Sequence, residues 1–249
     1  MARRLREAGF VAADEEAEAL AACSRGDPDL LATLVDRRLT GEPLAWIIGH
    51  TSFCGREVRI DPGVYVPRRQ SEPLARRAAR RLPEGGTAID VCTGSGAVSV
   101  VLAASCPTAR VVATDRDPRA IDCAVANGVE AYRGDLFSPV PPALRGAVDV
   151  VVGVVPYVPT ASLRMLQRDT LRFESDRSYD GGPDGVRLLR RVVAESPRFL
   201  RPGGALLLEL GGDQADLLAD DLALAGFSDA QLLVDEEGDV RGIEATLVS

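Results

Sequence analysis

Between Ala2 and about Ile48, apolar residues return at loosely helical spacing. Leu5, Leu20, Leu30, Leu31, Leu34, Val35 and Leu39 fall into clusters broken by SRGDPD and TGEP. The pattern predicts a short helical N-terminal unit. TSFCGREVRI then reads as two brief strands around a Gly-containing turn, and DPGVYVPRRQSEP as a Pro-rich connection into an arginine-rich helix over 74–82. LPEGG ends that helix and sets the expected boundary between a first unit, 1–83, and a second, 84–249.

Beyond Gly86 the pattern alternates. TAIDVC, RVVATD, VEAYRGD and the VDVVVGVV run have the short, β-branched character of buried strands, and GAVSVVLAAS and PRAIDCAVAN intervene as helices. A helix over 184–199, the strand GALLLEL and a helix over 213–225 follow. AQLLVD and IEATLV come last, joined by the short turn EEGDVRG. Strands alternating with crossover helices predict an α/β fold with a doubly wound, mostly parallel sheet, and the final pair predicts an antiparallel hairpin at one edge. Ligands of such sheets lie at the carboxyl ends of the strands.

Composition narrows the chemistry. A chain of 249 residues, 46% hydrophobic, can bury one full core and a small second unit. All 29 basic residues are arginine, which excludes Schiff-base chemistry, a lysine general base and the phosphate-loop lysine. His50 is the single histidine, so no multi-histidine metal site can be built and no metal is expected. The five cysteines show no C-x-x-C spacing and read as small buried thiols. The net charge is −8, and after Arg201 only Arg241 stands against a long series of acids, so no direct nucleic-acid contact is expected. The arginines of RRAARRL read as a solvated helix face. The N-terminus has no apolar signal region, and Asp149 interrupts the longest nearly apolar run. The expectation is a cytoplasmic protein with no membrane partner.

Three successive strand ends carry candidate binding residues. The first is DVCTGSGA, where Gly94 and Gly96 allow a tight turn that brings backbone N–H groups close to a ligand. Asp115 closes the second strand at the distance from that turn where a carboxylate meets ribose hydroxyls. The third strand ends in Asp135-Leu136-Phe137, a further carboxylate and an apolar wall for a base. Each acid taken singly reads as a cap or turn residue, but three strand ends together outline an adenosine pocket.

The order D-x-C-T-G-S-G, TD, GDLF, VVPY resembles the class I S-adenosylmethionine-dependent methyltransferases, and more closely the HemK/PrmC group of protein-glutamine methyltransferases. GEPL, F-x-G and VPRRQSE upstream, and DGGPDG and LRPGGALLLELGGDQ downstream, extend the resemblance over nearly the whole chain. It implies a seven-stranded Rossmann-like methyltransferase sheet behind a small N-terminal helical domain, with S-adenosyl-L-methionine as cofactor. By resemblance, Asp90, Cys92, Thr93, Gly94, Ser95 and Gly96 form the turn around the methionine part of the cofactor. Asp115 holds the ribose, and Asp135, Leu136 and Phe137 frame the adenine. The family has glycine where Cys92 stands, and cysteine fits there if its φ is negative. Arg68 and Glu72 are expected to tie the N-terminal unit to the site or to form a plain interdomain ion pair.

VVGVVPYVP occupies the place of the family's NPPY motif. Val154 and Val155 stand where Asn-Pro would be, while Pro156 and Tyr157 are retained. The resemblance implies that the asparagine side chain and a backbone carbonyl accept the N–H bonds of the substrate amide, and valine accepts none. These four residues form the expected acceptor pocket, with Glu209 or Gln214 as side chains that could reach it. Three readings stand open: a glutamine methyltransferase acting on a peptide release factor, a methyltransferase repurposed for a small-molecule acceptor, and a non-catalytic cofactor-binding module.

Overall fold

The computed structural model of the chain describes residues 1–166 and 172–248. The N-terminal unit holds helices α1 (Ala2–Glu7), α2 (Ala13–Ser24), α3 (Pro28–Leu39) and α4 (Leu44–Ile48), packed around Leu5, Leu20, Leu34, Val35 and Ile47. Helix α3 starts at Asp27, whose carboxylate accepts the N–H groups of Asp29 and Leu30, with Pro28 in the first turn. The expected two strands form an antiparallel pair, β1 (His50–Phe53) and β2 (Arg56–Arg59).

Helix α5 (Glu72–Arg81) begins two residues before the expected start, with Pro73 in its first turn, where a missing N–H costs nothing. Its arginines are not all solvated: Arg77 and Arg81 pair with the buried Glu244, and Arg76 pairs with Glu72.

The remaining chain builds one sheet from β3 (Thr87–Val91), β4 (Arg110–Asp115), β5 (Glu130–Arg133), β6 (Val148–Gly153), β7 (Leu200–Glu209), β8 (Phe227–Val234) and β9 (Val240–Leu247). The order is β5-β4-β3-β6-β7-β9-β8; the first five in that order are parallel, and β9 runs antiparallel to both of its neighbours, β7 and β8. The terminal hairpin therefore lies at the predicted edge, with β9 against β7. Strand order reverses between β3 and β6, so the crevice beyond their carboxyl ends is where a ligand is expected.

Helices α6 (Ala97–Ser105) and α7 (Pro118–Ala126) connect the first strands, and α8 (Arg187–Glu195) and α9 (Gln214–Leu224) the later ones. The helix expected over 184–199 is shortened to α8, followed by a 3-10 turn at Ser196–Arg198, because Pro197 has no N–H to continue it. Leu189, Val192, Val193, Leu218 and Leu222 cover one face of the sheet. On the other, Leu74, Ala75 and Ala78 of α5 share a cluster with Trp46, Phe53, Val150, Val152 and Leu207. A division at residue 83 runs through this shared core.

Asn127, the one asparagine, ties the hairpin to the first glycine turn. Its Oδ1 accepts the N–H of Arg59 at 2.9 Å, and its Nδ2 donates to the carbonyls of Arg59 and Ser95 at 2.9 and 2.8 Å. Among the described residues, no helix is long and apolar enough to cross a membrane, and no three His, Cys, Asp or Glu side chains are grouped to hold a metal ion.

Candidate active site

The turn after β3 is built from its buried carboxylate outward. Asp90 Oδ2 accepts from Thr93 Oγ1 at 2.6 Å and from Ser99 Oγ and N–H at 2.7 and 3.2 Å. These bonds fix the loop to the start of α6. Burial nonetheless pushes the Asp90 carboxyl up to about 6, against the pull of the Thr93 and Ser99 bonds. Gly94 and Gly96 have φ of 56° and 83°, and a Cβ on Gly96 would meet Val129 Cγ2 at 3.0 Å. Cys92 overturns its condition: its φ is +58°, in the left-handed region, where a side chain is strained and glycine is not. Burial also pushes its thiol up, with Asp115 and Asp90 adding to the effect, which favours the protonated thiol.

Asp115 ends β4 beside this turn. Its Oδ2 accepts the Gly94 N–H and its Oδ1 the Asp117 N–H, and these bonds offset part of the upward push that burial gives its carboxyl. Asp135 is exposed and pairs with Arg191 at 3.0 Å. Leu136, at φ +47°, lines the cleft. Phe137 does not: its ring stacks on Phe199 with centroids 5.3 Å apart inside the core, because the left-handed kink at Leu136 turns the next residue inward. Phe137 thus supports the wall without forming it. Asp90, Thr93 and Ser95 are likewise buried beneath the turn and absent from the cleft lining.

The acceptor side is the chain after β6. Strand pairing stops at Gly153, and Val154, Val155, Pro156 and Tyr157 run along the cleft. Val155 packs into the core, whereas Val154 is half-buried. The Tyr157 hydroxyl donates to Glu209 Oε1 at 2.9 Å, and Gln214 Nε2 donates to the Tyr157 carbonyl at 2.7 Å, so both residues expected near the site act on Tyr157. The DGGPDG loop clamps the same corner. Gly181 donates to the Val158 carbonyl at 2.9 Å, and a Cβ on Gly181 would meet Tyr157 Cα at 2.8 Å. A Cβ on Gly185 would collide with the Tyr157 carbonyl oxygen. Only glycine admits this approach.

A strap from the N-terminal side closes the cleft. Tyr65, Arg68 and Gln70 line it, together with Ser175, Arg177, Ser178 and Tyr179 of the loop opposite. Arg68 donates to Glu174 and to the Tyr179 hydroxyl, and Glu174 also accepts the Val66 N–H at 2.9 Å. Glu72 takes no part in this network: its carboxylate meets Arg76 at 2.6 Å, one helical turn away. Glu174, Gln70 and Tyr179 are the site residues that sequence reasoning missed; F-E-S and the tyrosine lie in a stretch with no periodicity to mark them.

The result is one cleft of about 880 Å³ that brings together Arg68, Cys92, Gly94, Asp115, Asp135, Leu136 and the Val154–Tyr157 segment. One wall is formed by three successive strand ends, the other by the Pro-Tyr corner. A second cavity lies between the helical unit and the β1-β2 hairpin, and Arg68 borders both.

No family model matches the chain. Among curated proteins, it is 37% identical over 227 residues to a release factor glutamine methyltransferase of Geobacter sulfurreducens, covering 89% of this chain and 76% of that one. It is 36% identical over 265 residues to a release factor glutamine methyltransferase of Moorella thermoacetica, covering 95% and 92%. Among solved structures, a methyltransferase from Pyrococcus furiosus superimposes with a TM-score of 0.55 at 17% identity, covering 88% of this chain and all of the other, which establishes the fold.

Proposed function

The chain belongs to the release factor glutamine methyltransferase family, an S-adenosylmethionine-dependent methyltransferase by that membership, and from this premise we propose that it methylates a glutamine side-chain amide of a peptide chain release factor. The observation that carries the reading is the single cleft in which the Cys92–Gly94 turn, Asp115 and Leu136 face the Val154–Tyr157 corner.

The residues fit an adenosyl sulfonium. The cleft volume lies within the range of small-molecule sites, and a Cβ at Gly94 would meet nothing closer than Tyr65 Cβ at 3.9 Å, so the turn is open to a ligand. Each Asp115 oxygen takes one backbone N–H and keeps a lone pair for a ribose hydroxyl. When bound, S-adenosylmethionine supplies an electrophilic methyl group on a positively charged sulfur. Leu136 walls the base and Cys92 with Gly94 borders the tail.

The chain's own task is to position the amide. An amide nitrogen shares its lone pair with its carbonyl and is a poor nucleophile, so orientation and electrostatics carry the rate. Gln214 already donates to the Tyr157 carbonyl, so the backbone carbonyls of Val154 to Pro156 are the freer acceptors for the amide N–H groups, with Tyr157 as the aromatic wall. Val154 itself favours a second reading, a small-molecule acceptor that needs no side-chain amide partner.

Incubation of the enzyme with methyl-labelled S-adenosylmethionine and a release factor separates the two. Label on one glutamine of the release factor supports the first reading. Label only in small products supports the second, and binding without transfer overturns both.

A further inference from the structure

We propose that Glu209 is a positioning residue for methyl transfer, its buried carboxyl fixing the Tyr157 ring that walls the acceptor side of the cleft. Strand β7 closes with Leu206, Leu207, Leu208 and Glu209, Leu210 follows, and all four of these leucines are fully buried. A carboxyl group in that run is costly, since burial opposes its charge, and one oxygen, Oε2, has no partner in full hydrogen-bond geometry among the described residues, although the Ser71 hydroxyl eases the upward push of burial on the carboxyl. A fifth apolar residue would avoid the cost.

What the carboxyl gains in return is control of the Pro-Tyr corner. Period-two alternation puts Glu209 on the same face as Leu207, toward the start of α5, where Gln70 and Ser71 lie. Its neighbour Leu208 is in register with Gly153, the last residue of β6, so the side chain sits beside the segment that leaves that strand. There Oε1 accepts from the Tyr157 hydroxyl at 2.9 Å, and Gln70 Nε2 donates to that hydroxyl at 3.0 Å and to Oε1 at 3.4 Å. The hydroxyl thus donates and accepts at once, which leaves it a single orientation. With Gln214 holding the carbonyl of the same residue at 2.7 Å, Tyr157 is pinned at both ends. For a weak nucleophile, a ring misplaced by an ångström is costly in rate.

The inference rests on the reading that the acceptor lies against Tyr157, and the test has an arm that does not depend on the acceptor. In steady-state transfer to a release factor, Glu209→Ala is expected to lower kcat by about 10- to 100-fold. KM and the affinity for S-adenosylhomocysteine should stay within about twofold, because Glu209 is absent from the cleft lining. Glu209→Gln, which keeps an acceptor oxygen, should recover most of the loss. Tyr157→Phe should reproduce it, and the double variant should be no worse than either single one. An unchanged kcat in Glu209→Ala, a parallel loss of S-adenosylhomocysteine binding, or additive losses in the double variant would each overturn the assignment. If the wild type transfers nothing to a release factor, that reading fails by itself. Nuclear magnetic resonance of the four tyrosines then decides on Glu209 separately. A slowly exchanging Tyr157 hydroxyl proton should be present in the wild type and in Glu209→Gln and lost in Glu209→Ala. Its persistence in Glu209→Ala would sink the proposal.

Discussion

Asp115 accepts a hydrogen bond from the backbone N–H of Gly94 at 3.0 Å, across 21 residues of chain. The end of β4 and the glycine turn after β3 are thereby tied together, and the carboxylate that shapes the turn has lone pairs left over, which the proposed reading gives to a ribose.

Asp115→Asn tests this double use. An asparagine has one acceptor oxygen, so one of the two N–H groups, of Gly94 or Asp117, would face an amide NH2 in a mostly buried place. Loss of a charge-assisted bond is worth about 1.5 to 3 kcal/mol, or roughly 10- to 150-fold in affinity. Calorimetry with S-adenosylhomocysteine is expected to find weakening of that size, and unchanged binding would remove Asp115 from the site.

Cys92→Gly should stabilise the protein. The left-handed conformation costs a side-chain-bearing residue about 1 to 2 kcal/mol, and glycine returns about 0.5 to 1 kcal/mol of that through its greater freedom when unfolded. The expected net gain is about 0 to 1.5 kcal/mol, a rise in Tm of at most about 3 to 6 °C, readable by calorimetry. In the wild type, Cys92 should resist iodoacetamide at pH 8 until the chain is unfolded, because burial holds the thiol protonated.

The Val154→Asn variant places a side-chain acceptor on the cleft wall. An amide N–H left unpaired in a dry pocket costs about 1 to 3 kcal/mol, roughly 5- to 150-fold in rate. The variant should raise kcat/KM for amide methylation of a release factor within that range. No gain would favour a small-molecule acceptor.

Asp90 gives a pH signature. Its folded carboxyl, at about 6, lies above the ordinary aspartate range, so between about 4 and 6 the folded state binds more protons than the unfolded one. Stability contributed by the neutral form is therefore lost as pH rises through that window, on the order of 3 kcal/mol at most. Asp115 and Glu209 are raised by burial too, so the expected effect of Asp90→Asn is a shallower slope of Tm against pH, not a flat one. An unchanged slope would exclude Asp90 as a source.

Much of the architecture was legible in the sequence because local rules decide it. Short β-branched runs separated by helical periods can only stack as a wound sheet, and three strand ends carrying Gly94, Asp115 and Asp135 had to fall on one rim. The Pro-Tyr corner was legible from its place after β6. What local rules leave open is where a side chain goes once the backbone kinks. Leu136 turns left-handed and sends Phe137 into the core, and Cys92 adopts a conformation that its residue type argues against. Contacts across long separations were hidden in part: Arg68 meets Glu174 and not the nearby Glu72, whereas Glu209, expected near the site, reaches Tyr157 from the next strand and brings in Gln70, which no pattern marked. Tertiary packing, not propensity, places these groups.

The strap has a consequence for how the molecule is born. Arg68 and Glu174 are separated by 106 residues, and Gln70 and Glu209 by 139, yet both pairs border the cleft. The helical unit can fold from local contacts, but Arg68 can meet its partner only after residue 174 has been made, and Gln70 only after β7. The strap is therefore ordered late in folding, by contacts that join one side of the cleft to residues far along the chain.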